Sequence, residues 1–290
     1  MTGFGELDPL LPPSFEPGAG EPITARLPGG GEVTGVLYRA RYAGWESLWH
    51  ARETWELTPT SPQTGAAGIS ALLAALRGRV ERERPGPDSA CALTWPSRAV
   101  AAVPALLEHG LAPYTSLAVR GAEPVAAVTA PGVEVRRARR ADLDELVRLW
   151  LQELHYAALV GSAVVREGAR DWLAAELLRA LDAGEPVWLA ESAGLPVGMV
   201  ACGSPVTDLT RLPRGGWGHV GTLSVTEAAR GTGVGRALAA AAHAELLAEG
   251  ARGTFLFYSP HNALSSVFWH RHGYRPLWTT WEVRPALALA

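Results

Sequence analysis

A chain of 290 residues, 48% apolar and 19% charged, has the profile of a globular protein long enough for two domains of ordinary size. Its net charge of −3 gives no basic footprint for nucleic acid, and the start MTGFGELDPLLPPSF and the rest of the chain show neither a leader pattern nor an apolar run of membrane length, so a cytoplasmic protein with no membrane partner is expected. Cys91 and Cys202 are too few for a disulfide framework or a zinc site and read as buried thiols.

Met1 to Gly20, rich in Pro and Gly, reads as irregular. Ile23–Leu27 and Val33–Arg41 alternate around Gly29, Gly30 and Gly31 as a hairpin. A strand follows within Trp45–Thr58, then a helix over Ala67–Glu83 with Ile69, Leu72, Leu73, Leu76 and Val80 on one stripe. Ala90–Trp95 is a strand, Val100–His109 a helix stopped by Gly110, and Tyr114–Val119 a strand. After Pro131 and Gly132 the pattern restarts. Val133–Arg137 is a strand, Asp142 suits the cap of a helix carrying Leu146, Val147, Trp150 and Leu154, and Ala169–Leu181 is a second helix. Val187–Glu191 and Val197–Cys202 form a hairpin about Gly194. A strand to Val225, a helix over Val234–Glu249, an apolar strand over Thr254–Tyr258, a helix over Pro260–His272 and a strand from Tyr274 to Val283 complete the chain.

The most informative stretch is GHVGTLSVTEAARGTGVGR, Gly218 to Arg236. A strand enters a glycine-rich turn that leads straight into a helix, whose first N–H groups have no internal acceptors. Such a turn favours an anion, with Arg230 supplying charge beside it, and a phosphate-bearing ligand is expected. The Gly-x-Gly-x-Gly spacing and the lack of a clearly placed acidic residue about twenty positions later argue against a dinucleotide fingerprint. A phosphate-loop NTPase needs a lysine after the last glycine, and the chain contains none. An ordinary strand-to-helix turn is the plain alternative.

Arg-x-x-Gly-x-Gly after a strand ending in Val225 resembles the acetyl-CoA pyrophosphate loop of the GCN5-related N-acetyltransferases, the GNAT superfamily. FYSPHNALSSVFWHRHGYRP resembles a second segment of that family, with Asn262, Phe268, Trp269, Gly273 and Tyr274 in the matching places. The element order agrees over about 132–285. The first half looks like a worn copy: Gly110-Leu-Ala-Pro113 parallels Gly273-Tyr-Arg-Pro276, and Gln63 to Gly68 parallels Arg230 to Gly235, with Ala66 in the place of the middle glycine. The expected fold is therefore a mixed α/β sheet in two tandem GNAT-like domains, a degenerate one over 1–131 and a working one over 132–290, in an arrangement similar to that of mycothiol synthase.

The resemblance implies acetyl transfer from acetyl-CoA, as cosubstrate and without metal, to a primary amine, in a monomer or homodimer. It implies that Leu223, Ser224 and Val225 pair with the pantetheine arm, that Arg230, Gly231, Thr232, Gly233, Val234, Gly235 and Arg236 hold the pyrophosphate, and that Asn262, Ser265 and Trp269 complete the cofactor site. An amide at Leu223 or Val225 would polarise the thioester. Two departures stand out. The family's usual strand glutamate falls at Gly221, leaving His219, two residues earlier on the same face, as the candidate base. The usual tyrosine of the last helix falls at Trp269, which cannot act as an acid, leaving Tyr258, Ser265 or water. A histidine simply hydrogen-bonded within the strand is the alternative for His219. Glu153, His155 and Tyr156 sit where the family builds its acceptor pocket, although a solvated helix face accounts equally well for Glu153. His261, His270 and His272 lack partners at ligand spacing and suit surface or capping roles. Trp45, Trp49 and Trp55, among eleven tryptophans, suit packing between domains or the wall of a pocket. The missing glutamate and tyrosine keep open a catalytically silent acyl-CoA-binding or regulatory protein, and a nucleotide-dependent enzyme is a third reading.

Overall fold

The computed structural model describes residues 3–12, 18–123, 125, 128, 130–207 and 209–290. In the first half, β1 (Glu21–Arg26), β2 (Glu32–Arg41) and β3 (Glu53–Pro59) precede α1 (Ala66–Glu83), β4 (Ser89–Pro96), α2 (Val103–Glu108) and β5 (Ala112–Gly121). The second half runs β6 (Val133–Arg137), α3 (Leu143–Leu159), α4 (Ala169–Asp182), β7 (Val187–Ser192), β8 (Leu195–Val206), β9 (Trp217–Val225), α5 (Val234–Ala248), β10 (Gly253–Tyr258), α6 (Ala263–Arg271) and β11 (Arg275–Val283). No helix is long and apolar enough to cross a membrane among the described residues.

All these strands join one mixed sheet in the order β1-β2-β3-β4-β11-β5-β10-β9-β8-β7-β6. The two halves exchange strands at its centre. β11, from the end of the chain, lies antiparallel between β4 and β5, and β5, from the first half, lies antiparallel between β11 and β10. The turns that feed these two strands are alike. Gly110 and Gly273 both take the left-handed conformation, at φ 79° and 80°. Each permits the same reverse bond, from Leu111 N–H to Leu106 O at 3.0 Å and from Tyr274 N–H to Trp269 O at 3.1 Å, which closes a helix end before a strand.

Apolar stripes decide the layering. Ile69, Leu72, Leu73, Leu76 and Val80 of α1 are buried with Trp55, Leu57 and Leu93 against the first half of the sheet. The second half is covered on both faces. Leu146, Leu149, Trp150 and Leu154 of α3 pack with Leu173 and Leu177 of α4, while Val234, Leu238, Ala242 and Leu246 of α5 pack with Val200, Val220 and Leu256. Leu48 of the first half is buried in the α3 and α4 cluster, and Val164 N–H donates to its carbonyl at 2.7 Å, so the halves share a core as well as a sheet.

Four local expectations are modified. Residues 1–2 and 13–17 of the stretch expected to be irregular lie outside the described residues, but Phe4–Glu6 form a 3-10 turn that buries Phe4 edge-on against Trp95 and Trp278. Asp8, also buried, is ion-paired with Arg275 and Arg98. Gly44–Leu48 form a second 3-10 turn, because Ser47 Oγ donates to Gly44 O at 2.7 Å, and the third strand starts only at Glu53. The helix expected over Val100–His109 divides into a 3-10 turn, Val100–Ala102, and α2, with Pro104 in its first turn. Asp142 accepts from Arg139 N–H at 2.7 Å, closing the turn Arg140–Asp142 ahead of α3 instead of capping α3 itself.

Candidate functional site

β9 and β10 are parallel neighbours, yet they pair at only two positions, Gly218 with Thr254 and His219 with Phe255. From Val220 to Val225 the edge of β9 facing β10 is released, while β8 still holds its other edge. The result is a wedge open at the strand ends, where a parallel sheet offers its backbone to a ligand. The corresponding strands of the first half, β3 and β4, pair at five successive positions from Glu53–Ser89 to Leu57–Leu93. The register irregularity between Val200 and Cys202 brings Ala201 O toward Gly221, where a Cβ would lie 2.9 Å from it. Only glycine is accommodated there without movement, which explains why no acidic side chain stands at that place.

At the mouth of the wedge the chain turns through Gly231 (φ 80°) and Gly233 (φ 97°), conformations that carry little cost only for glycine. Gly233 caps α5. Ala237 N–H to Gly233 O, at 3.0 Å, begins the helical ladder, so the amides of Val234, Gly235 and Arg236 lie ahead of it with no intrahelical acceptor. A Cβ on Gly235 would meet the Phe268 ring at 3.3 Å, which shows how closely α5 and α6 approach. Thr232 Oγ1 donates to Ala229 O and fixes the turn. Arg230 and Arg236 are exposed, and the Arg230 guanidinium lies 5.3 Å from the Tyr156 ring centre. By contrast, no residue from Ser61 to Gly68 is left-handed, and α1 begins directly after Gly65.

The wedge opens into a cavity of about 650 Å³ between the halves. His219, Leu223, Tyr258, Asn262, Ser265 and Trp269 line the wedge end together with Glu153. His155 and Tyr156 do not reach it: His155 is exposed and bonds back to Leu151 O, and Tyr156 lies under Arg230 at the glycine turn. Ser224 is buried, and its Oγ donates to Leu149 O at 2.7 Å, tying β9 to α3 one helical turn before Glu153.

Burial sets the proton affinities here. His219 stacks on Phe255 with ring centres 4.8 Å apart, and desolvation lowers its pKa to about 4. It is neutral at pH 7 and much weaker as a base than a free imidazole. Glu153 is opposite in character: desolvation raises it to about 7, and its Oε2 is buried with no hydrogen-bond partner. Tyr258 is raised by burial, stays protonated at neutral pH, and its hydroxyl lies 3.2 Å from His270 Nε2. Asn262 caps α6 by accepting from Ser265 N–H at 3.0 Å. No group of three or more His, Cys, Asp or Glu side chains is arranged to hold a metal ion among the described residues.

Glu153 shares the α3 face that carries the buried Leu146, Leu149, Trp150 and Ala157; the residue is half-buried, and its Oε2 is the buried atom. The spacing of Glu153, three and four residues from apolar neighbours, was the available sign that it does not face solvent. The first-half wall, in which Tyr42, His50 and Glu56 join Trp45 and Trp49, left no comparable sign, because it depends on the exchange of strands. Trp55 instead lies in the core, with Arg39 stacked 4.1 Å above it.

Residues 183–276 match the family model described as an acetyltransferase (GNAT) domain. No match was found among curated proteins. Of the solved structures, a GCN5-related N-acetyltransferase from Sphaerobacter thermophilus shares the fold over 93% of this chain and 84% of its own, at 15% identity and TM-score 0.59. A GNAT-family acetyltransferase from Colwellia psychrerythraea does so over 87% and 85%, at 10% identity and TM-score 0.53. A tandem GNAT protein from the clavulanic acid biosynthesis pathway covers 93% and 85%, at 15% identity and TM-score 0.50. The second half is thus similar to a GNAT acetyltransferase domain over residues 183–276, and over nearly all its length the chain shares the fold of a tandem GNAT protein.

Proposed function

We propose that the protein is an acetyl-CoA-dependent N-acetyltransferase acting on a primary amine, with one cofactor site, in residues 132–290, and a first unit, 1–131, that forms part of the acceptor wall. The observation that carries this reading is the two-residue pairing of β9 and β10 beside a left-handed glycine turn, a combination that β3 and β4 lack. The fit to acetyl-CoA rests on the same features. The amides of Val234, Gly235 and Arg236, with Arg230, receive the pyrophosphate, and the released edge from Leu223 to Val225 pairs with the amide-bearing arm. Bound there, acetyl-CoA supplies an activated acyl group.

The chain's own residues do the rest. Leu223 or Val225 N–H donates to the carbonyl at which charge develops. Glu153, the buried carboxyl of the cavity, takes the proton from the acceptor ammonium so that the nitrogen can attack. Tyr258 holds a proton for the departing sulfur. His219, stacked on Phe255, lines the same cavity as a neutral ring.

Calorimetric titration of acetyl-CoA into the protein and into Gly233→Glu tests the assignment. A single site in the parent, lost in a variant that keeps its circular dichroism, supports it. Two sites with one surviving would give the Gln63 turn a cofactor, and no binding would remove the activity. Binding without thioester consumption by any amine would point to a silent acyl-CoA-binding protein.

A further inference from the structure

The far wall of the cavity bears on which amines enter. Six carboxylates line the cavity as a whole, from Glu46, Glu56, Glu153, Glu176, Glu185 and Glu282, against the two guanidinium groups of Arg179 and Arg211. Glu176 and Glu185 share Arg179, at 2.6 and 2.8 Å. Glu282 is ion-paired with Arg284. Glu153 stands at the wedge. Glu46 and Glu56 remain without an ion-pair partner among the described residues, and both lie on the first-half wall. Glu56 accepts from the Tyr42 hydroxyl at 2.8 Å. Tyr42 is stacked on His50 at 4.1 Å, and Trp45 and Trp49 meet edge to face at 5.9 Å, so aromatic rings line the same wall as the two acids. Arg211 opposes them, while Arg284, which donates to Trp49 O at 3.3 Å, is taken up by Glu282. The Arg211 guanidinium donates to Thr94 Oγ1 at 3.1 Å, and Glu56 and Tyr42 are the groups whose field it feels most. The remaining imbalance is negative.

Carboxylates bordered by aromatic rings attract an ammonium or guanidinium through both charge and the ring quadrupole. We infer that the acceptor is a small dication, an amine bearing a second cationic group that occupies the wall of Glu46, Glu56, Tyr42 and Trp45 while its reactive amine lies at Glu153. This rests on the acetyltransferase reading and adds to it a recognition role for the first half. A cofactor-free domain would then serve as the specificity wall of its neighbour.

Three compounds of one length separate the possibilities: 1,4-bis(aminomethyl)benzene, 4-methylbenzylamine and 4-(aminomethyl)benzoate present a cation, a methyl group and an anion at the far end. Acetyl-CoA consumption should rank them in that order in kcat/KM, with at least tenfold between the first two. In Glu56→Gln, and in the exposed variant Glu46→Gln, whose folding is not at issue, the ratio of diamine to monoamine should fall toward one. Equal rates, or preference for the benzoate through Arg211, would overturn the proposal. The same compounds are titrated calorimetrically into the CoA-loaded protein. If the dication binds best but none is acetylated, the charge preference stands and the acetyltransferase reading fails. If all bind alike while amines are acetylated, the acetyltransferase reading stands and the dication proposal fails.

Discussion

Replacing Glu153 by glutamine should make the protein slower and, at alkaline pH, more stable. The carboxyl rises from 4.5 to about 7 because burial penalises its charged form. In the unfolded chain it titrates near 4.5, so between these values the folded state retains a proton that the unfolded state has lost. Stability therefore falls as pH rises from about 4.5 to 7 and stays reduced above that. At 1.36 kcal/mol for each tenfold change in proton affinity, the full cost is about 3 kcal/mol. Because Glu153 is only half-buried, solvent screens part of it, and about 1–3 kcal/mol is the expected gain for Glu153→Gln at pH 8. Below pH 4.5 the two proteins should be equally stable. Denaturant unfolding at pH 4 and pH 8 measures the difference. Catalysis should move the other way: kcat/KM of the parent rises through a limb near pH 7, and the variant loses that limb together with about 10²- to 10⁴-fold in rate. Equal stability at pH 8, or a retained limb, would show that Glu153 is neither desolvated nor the base.

His219→Phe should keep the limb near pH 7, because the ring it replaces is neutral there and stacks on Phe255; loss of the limb in a pH–rate profile would transfer the base role to His219. Ser224→Ala should lower stability by about 0.5–1.5 kcal/mol, since it removes a buried hydrogen bond that ties β9 to α3, as a urea midpoint would report.

Much of the fold was legible in local pattern. The stripes of α1 and α3, the hairpins at Gly31 and Gly194, and the glycine stops at Gly110 and Gly273 each carry their own structural instruction. The glycine turn was legible as well, because left-handed positions need glycine and phosphate needs exposed amides. What the chain order concealed is the centre of the sheet. Nothing in the sequence of β5 or β11 says that each pairs with strands of the other half. The cavity wall follows from that pairing, so Tyr42, His50, Glu56 and Arg211 had no local signature as site residues. Glu153 was legible only in part: the family resemblance put it near the acceptor pocket but a solvated helix face accounted for it equally well, and the burial of Oε2 without a partner required the packed structure.

The strand exchange also makes folding depend on the order of synthesis. β4 and β5 leave the ribosome long before β11, the strand that must lie between them, has been made. Until then the first half exposes two strand edges with unpaired amides and carbonyls, a template for pairing with another chain. Its pairings with β11 are distant in sequence, which slows the closing step. A chain stopped short of Arg275 would therefore be damaged most in the half made first, and a nascent copy gains from a chaperone that covers β4 until the final strand arrives.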